Sequence, residues 1–266
     1  MIFNLYKNRG ETPLQVIERF KEVKIERFGD YADQKMTYLG RLDPLAEGVL
    51  LVASGDDIKR KEEFLNLDKE YEFTALFGFA TDTYDVMGKI ITPLAPLTLR
   101  GEPEKTQTQF EMDLIKLCKI YEGKREQKYP PYSSKNIAKN RDEKGDIVHD
   151  SLADESEVKS IEIYELNFLK LSTLSAKELF GRLLMDISRV RGDFRQAEIL
   201  EDWKEILVSK GTFDIFLGYF SAYVSSGTYI RSLVNDMGQT LGIPVTTLSI
   251  KRTRVGDYKI EDSLRF

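Results

Sequence analysis

Residues 37–53 read Thr37-Tyr38-Leu39-Gly40-Arg41-Leu42-Asp43-Pro44-Leu45-Ala46-Glu47-Gly48-Val49-Leu50-Leu51-Val52-Ala53. Glycine and proline punctuate Tyr38 to Gly48 as a loop, and Asp43-Pro44 opens a turn inside it. Val49 to Ala53 then form a run short and apolar enough for a buried strand. A loop thus delivers one carboxylate, Asp43, to the start of a core strand.

Working outward, Thr12-Pro13-Leu14-Gln15 reads as an N-cap, a proline at the first helical position and a capping-box glutamine. Leu14, Ile17, Phe20 and Lys21 follow at helical spacing, so a helix is expected to run from there to about Gly29. Tyr71 to Phe79, Ile161 to Leu171 and Phe213 to Val224 mix β-branched, aromatic and apolar residues as strands do. Leu179, Leu183, Ile187 and Val190 recur at helical spacing, which predicts a largely helical 175–209 interrupted near Gly192. Ile230, Leu233, Val234, Met237 and Leu241 make one apolar stripe that begins after Gly227-Thr228 and is stopped by Gly242 and Pro244. Strands mixed with helices, without a βαβ rhythm, predict an α+β domain. The chain reads as a single domain over 1–266, because no Gly/Ser/Pro-rich linker divides it.

The 266 residues carry 39 Lys+Arg against 44 Asp+Glu, a net charge of -5, which excludes a histone-like polycation. No apolar run approaches a bilayer span and the first residues do not read as a signal peptide, so a cytoplasmic protein without membrane contact is expected. The one cysteine, Cys118, lies in an apolar stretch and reads as core. The one histidine, His149, lies in an acidic run and reads as surface. Neither a Cys/His zinc site nor a disulfide framework can be assembled from these two. Any chemistry must therefore rest on carboxylates, Tyr, Lys or Arg. Charge is uneven: residues 121–141 and 249–260 are basic and 142–168 acidic, so local phosphate contacts are compatible with the overall sign.

Three further segments stand out. Lys69-Glu70-Tyr71 precedes Gly78, Thr81-Asp82-Thr83, Asp85 and Gly88; Asp82 and Asp85 do not make a calcium loop, because position six lacks glycine and position twelve is Pro93. Tyr129-Pro130-Pro131-Tyr132-Ser133-Ser134-Lys135 follows. Ser225-Ser226-Gly227-Thr228-Tyr229-Ile230-Arg231-Ser232-Leu233 places Arg231 in the first turn of a helix, where the helix dipole disfavours it, so an anionic partner is expected.

In this order the segments resemble the TruB family of pseudouridine synthases, whose pattern runs Leu-Asp-Pro-x-Ala-x-Gly-Val-Leu, Lys-x-Tyr, Thr-Asp-Thr-x-Asp-x-x-Gly, Pro-Pro/Tyr-Ser and Gly-Thr-Tyr-Ile-Arg-Ser-Leu. The resemblance implies a mixed, mainly antiparallel sheet flanked by helices and loops. It implies isomerisation of uridine, position 55 in the TΨC loop of tRNA, which requires neither redox cofactor nor metal. Asp43 matches the nucleophile and Arg231 the arginine that pairs with it; a guanidinium beside a carboxylate favours its ionised form. Tyr71 matches the tyrosine that stacks on the base and is a candidate for deprotonating C5. Tyr229 and Ile250 match positions lining the uracil pocket, with Tyr38, Lys59 and Lys69 as further substrate contacts. The base must be flipped out of the loop, and aromatic and aliphatic walls replace the stacking it loses.

The chain departs from the pattern in places. Asn8 replaces the proline of a Lys-Pro-x-Gly motif formed here by Lys7 and Gly10, and Tyr38 stands where the family has histidine, which implies altered RNA docking. Residues of about 173–210 form an apparent helical insertion whose Arg189 to Arg195 stretch either contacts phosphate or is a solvated face, and the C-terminal PUA-type domain of many relatives is expected to be absent. A monomer is expected. The competing readings are a non-catalytic RNA-binding or tRNA-folding module on the same scaffold and, less favoured, a two-carboxylate hydrolase built on Asp82 and Asp85.

Overall fold

A computed structural model of the chain describes residues 1–23, 34–92, 106–132, 158–209 and 213–266. In chain order the first half contributes β1 (Ile2–Lys7), α1 (Pro13–Glu22), β2 (Met36–Tyr38), β3 (Ala46–Ser54), α2 (Lys61–Leu65), β4 (Lys69–Phe77), β5 (Ala80–Thr81), β6 (Ile90–Thr92), α3 (Gln107–Tyr121) and β7 (Gly123–Lys128). The second half adds β8 (Val158–Ser175), α4 (Ala176–Ser188), α5 (Gln196–Ser209), β9 (Asp214–Val224), α6 (Ile230–Leu241), β10 (Val245–Val255) and β11 (Tyr258–Lys259). The fold is α+β, with a mixed, mainly antiparallel sheet between layers of helix.

The main sheet runs β1-β3-β10-β4-β9-β8-β7, with β2 added on β3 and β11 on β10. Its one parallel pairing among the described strands joins β3 to β10, Ala46 opposite Ile250 and Gly48 opposite Arg252. Gly48 makes that pairing possible: at φ 109°, a Cβ there would lie 2.2 Å from the Arg252 carbonyl oxygen.

Period-two alternation splits β4 between two cores. Tyr71, Phe73, Ala75 and Phe77 face α3 and α6, where they meet Phe110, Leu114, Leu233 and Met237, while Leu76 faces α4 and α5 on the other side. Cys118 is buried on α3, within the first of these cores. The α6 stripe of Ile230, Leu233, Val234 and Met237 is buried as its spacing predicts, and Gly242 ends the helix in left-handed backbone. Residues 175–209 fold as two helices, α4 and α5, parted around Gly192.

One helix boundary differs from the sequence reading. Thr12 and Gln15 form the reciprocal capping box, but α1 stops at Glu22 rather than near Gly29, because Val23 turns extended and returns its N–H to the Phe20 carbonyl. No Gly or Pro marks that stop, so the spacing argument carried the helix too far. Its buried face is Val16, Ile17 and Phe20, and Leu14 points outward. Ser133 to Lys135, His149 and most of the acidic 142–168 run lie outside the described residues. Among the described residues no helix is long and apolar enough to cross a membrane.

Candidate active site

Asp43 sits on the loop between β2 and β3, and backbone carbonyls fix that loop. The Lys7 ammonium, fully buried at the end of β1, donates to the Pro44 carbonyl at 3.0 Å and to that of Ala46. The Gly10 N–H also donates to Pro44, and the Ala46 N–H closes the turn on the Asp43 carbonyl at 3.0 Å. From β10, buried Arg252 donates through Nη1 to the Arg41 carbonyl (2.9 Å) and through Nε to that of Val49 (2.8 Å). Burial pushes the Lys7 ammonium down to about 7, against the pull of the Asp43 carboxylate.

α6 carries the opposing charge. Arg231 donates from Nε to Asp43 Oδ2 at 2.9 Å and from Nη2 to Asp43 Oδ1 at 3.3 Å, a two-point grip. Its Nη1 donates to the Thr83 carbonyl at 2.8 Å, and Nε lies 3.6 Å from Asp85 Oδ2. The arginine side chain is 4% exposed and that of Asp43 38%, so a buried cation holds an open carboxylate. Burial alone would lower the Arg231 guanidinium, but Asp43 and Asp85 outweigh it and hold the group above its ordinary value. Burial raises the Asp85 carboxyl, with Arg231 opposing. Asp85 also accepts from Thr83 Oγ1 (2.7 Å) and the Met87 N–H (2.9 Å), so its turn is folded around its own side chain.

The helix pair α4–α5 braces that turn from behind. Trp203 Nε1 donates to the Val86 carbonyl at 3.2 Å, and Arg195 grips Asp82 at 2.9 and 3.4 Å. The Arg189 to Arg195 stretch, read as phosphate-contacting or solvated, therefore spends one of its arginines on an internal ion pair. Asp82 and Asp85 have separate partners and neither lines the cleft described next, which leaves the two-carboxylate hydrolase without a site.

A cleft of about 430 Å³ opens over Asp43, within the usual range for a small-ligand site. Tyr71 from β4, Ile250 from β10 and Tyr229 at the start of α6 form its walls, and Lys69 lies along it. Gln127 holds Tyr229 at both backbone groups, accepting from its N–H at 2.8 Å and donating to its carbonyl at 3.1 Å. Burial raises the Tyr229 phenol, and the Asp43 carboxylate adds to the shift.

Two residues that the resemblance offers as substrate contacts do not line this cleft. Tyr38 is half-buried against the core cluster that contains Phe3, Leu5, Val16 and Phe20, opposite Val52 on β3. Lys59 is 81% exposed and paired with Asp56 at 2.8 Å. Lys69 is present, but its ammonium donates to the carbonyls of Leu65 and Leu67. In the basic 249–260 run, Arg252 is an internal clamp and Arg254 pairs with Glu70, so that run offers phosphate less than its charge implies. Sequence reasoning did not find Asp85 as the second carboxylate at Arg231, nor Lys7, Arg252 and Gln127 as the supports of Asp43 and Tyr229. The signal for Asp85 was its place in the Thr-Asp-Thr-x-Asp-x-x-Gly pattern, which did not by itself pair it with Arg231.

The arrangement can set an open, oriented carboxylate beside a slot with aromatic and aliphatic walls, suited to attack on a planar ring or its sugar. Among the described residues no cluster of three or more His, Cys, Asp or Glu side chains is placed to share a metal ion.

Comparison with known proteins places the chain. The model of the TruB family pseudouridylate synthase N-terminal domain matches residues 30–190, more than half of the sequence. The tRNA pseudouridine synthase B of Thermosipho melanesiensis is 30% identical over 263 residues, covering 98% of this chain and 66% of that protein. The protein of the same name from Clostridium tetani is 26% identical over 263 residues, covering 99% and 70%. In fold, the chain resembles one from the crystal structure of a Cbf5-Nop10-Gar1 complex, with a TM-score of 0.52 at 19% identity, covering 97% of this chain and 49% of that one. The chain thus spans about two thirds of the length of these curated relatives and about half of the solved chain. With the family model matched across the Asp43 loop, β4 and the Asp85 turn, the chain belongs to the TruB family of pseudouridylate synthases.

Proposed function

We propose that this protein isomerises uridine to pseudouridine in tRNA, at the TΨC-loop position, with Asp43 as nucleophile. The observation that carries the reading is the buried Arg231 gripping an open Asp43 at the floor of the cleft. A binding module has no use for an oriented nucleophile. The flipped uracil enters between Tyr71, Tyr229 and Ile250, which replace the stacking it leaves. Tyr71 accepts the C5 proton, and Arg231 with Asp85 behind it fixes the trajectory of Asp43. The net change is an N1–C1′ bond exchanged for a C5–C1′ bond with the C5 proton moved to nitrogen, which balances without redox partner or metal. The protein acts as a cytoplasmic monomer.

The test is tritium release from tRNA carrying C5-labelled uridine, with Asp43→Asn as control. Release at stoichiometric enzyme that the control lacks supports the reading; equal release from both overturns it.

A further inference from the structure

The cleft holds more positive charge than its chemistry uses. Asp43 and Glu62 are the carboxylates lining it, and Arg231 is committed to Asp43 and Asp85. That leaves Arg41, Lys69, Lys159 and Arg252, of which Lys159 and Arg252 both lie close to Lys69. Burial pushes the Lys69 ammonium down to about 8, with Arg252 and then Lys159 adding to the shift while Asp68 opposes it. Arg252 Nη2 is buried without a hydrogen-bond partner. The Lys159 amine has no hydrogen bond or ion pair among the described residues.

Lys159 lies over the loop that leads to Tyr229. Its side chain lies across Gly227, φ 80°, where a Cβ would stand 1.7 Å from Nζ and 2.6 Å from Cε. Its backbone pairs with Gln127 in the β7–β8 ladder, and Gln127 in turn holds both backbone groups of Tyr229. The free amine is thus registered to the wall on which the base would stack. A cleft in which cations outnumber carboxylates, with one amine and one guanidinium nitrogen unpartnered, is stabilised by a bound anion.

We propose that Lys159, with Lys69 and Arg252 behind it supplying field, receives one backbone phosphate of the RNA strand whose base enters the cleft. This rests on the RNA-modifying reading above. The cleft then selects a nucleotide within a strand over a free nucleoside, because base and phosphate are held by one connected unit: Lys159, Gly227, Gln127 and Tyr229.

The experiment is a chemical double-mutant cycle on binding. Wild type, Lys159→Ala and Lys159→Arg are each titrated with a TΨC stem-loop RNA and with a set carrying one neutral methylphosphonate at each linkage flanking the target uridine, and circular dichroism confirms that the variants fold. Lys159→Ala is expected to weaken binding of the unmodified RNA about tenfold or more, as loss of a hydrogen bond to a charged group does. It should also reduce the slope of log K against log salt by about 1. One methylphosphonate position should weaken wild type by a similar factor and leave Lys159→Ala unaffected, and Lys159→Arg should restore most of the loss. If every position weakens wild type and Lys159→Ala equally, the phosphate site is overturned, and tritium release by wild type would leave the enzymatic reading standing. If wild type releases no tritium, the enzymatic reading falls, while coupling in the binding cycle still decides whether Lys159 holds phosphate.

Discussion

Arg231 reaches Asp43 through two nitrogens, at 2.9 and 3.3 Å, and is itself almost wholly enclosed while the carboxylate stays open to the cleft. The pair therefore behaves less as a stabilising ion pair than as a mount: the cation's position is set by the core, and the anion's by the cation.

Two substitutions separate those roles. Arg231→Met leaves Asp85 enclosed without its counter-charge, and removal of one partner of a buried pair costs about 3–5 kcal/mol. Urea denaturation should show that loss. Arg231→Lys keeps the charge but not the fork, so it should fold with a smaller penalty and lose about 100-fold in turnover through misplacement of Asp43. Equal turnover for Arg231→Lys and wild type would count against the mounting role.

Tyr71 lines the cleft, and in the proposed reaction its phenol oxygen takes the C5 proton. Tyr71→Phe keeps the stacking surface and removes the proton acceptor. Single-turnover tritium release should fall by about 100-fold or more, the range of a general base, while RNA affinity stays within about threefold. Unchanged release would reassign the C5 proton to another group.

Lys7 makes stability depend on pH. Its folded pKa, about 7, lies below the ordinary lysine value of 10.5, so between these limits the unfolded chain binds the extra proton. Stability should therefore rise with pH across that window, with a slope from this group approaching about 1.4 kcal/mol per pH unit in its middle. Lys7→Met lacks the slope and also frees the Pro44 and Ala46 carbonyls. Denaturation midpoints of the two proteins from pH 6.5 to 9.5 give the comparison; parallel curves would overturn the assignment.

Gly48 on β3 stands opposite Arg252 on β10 with no room for a side chain. Gly48→Ala adds a methyl 2.2 Å from the Arg252 carbonyl in a backbone conformation that alanine disfavours. The expected loss exceeds about 2 kcal/mol. Because Arg252 holds the Arg41 carbonyl, turnover at a temperature where the variant is folded should fall as well.

The sequence made legible what is local. The Thr12–Gln15 box, the α6 stripe ended by Gly242, the two helices parted near Gly192 and the apolar run of β3 all follow from spacing within a few turns of chain. The end of α1 was not legible, because an extended Val23 carries no residue signature. The motifs brought Asp43, Tyr71, Tyr229, Arg231 and Ile250 to one cleft, but Tyr38 and Lys59 sit outside it, because Tyr38 packs into the core beside α1 and Lys59 pairs with Asp56 in solvent. Asp85 and Lys7 were missed for a common reason: each acquires its role from burial against a distant partner, Arg231 for one and the Asp43 loop for the other.

The lone tryptophan of the chain, Trp203, is buried on α5 with its indole N–H on the Val86 carbonyl, next to the Asp85 turn. Intrinsic fluorescence therefore comes from one place, directly behind the site. A shift of that turn on RNA binding would alter the indole's hydrogen bond and hence its emission, so exciting this single native chromophore reports whether the turn moves as the cleft fills.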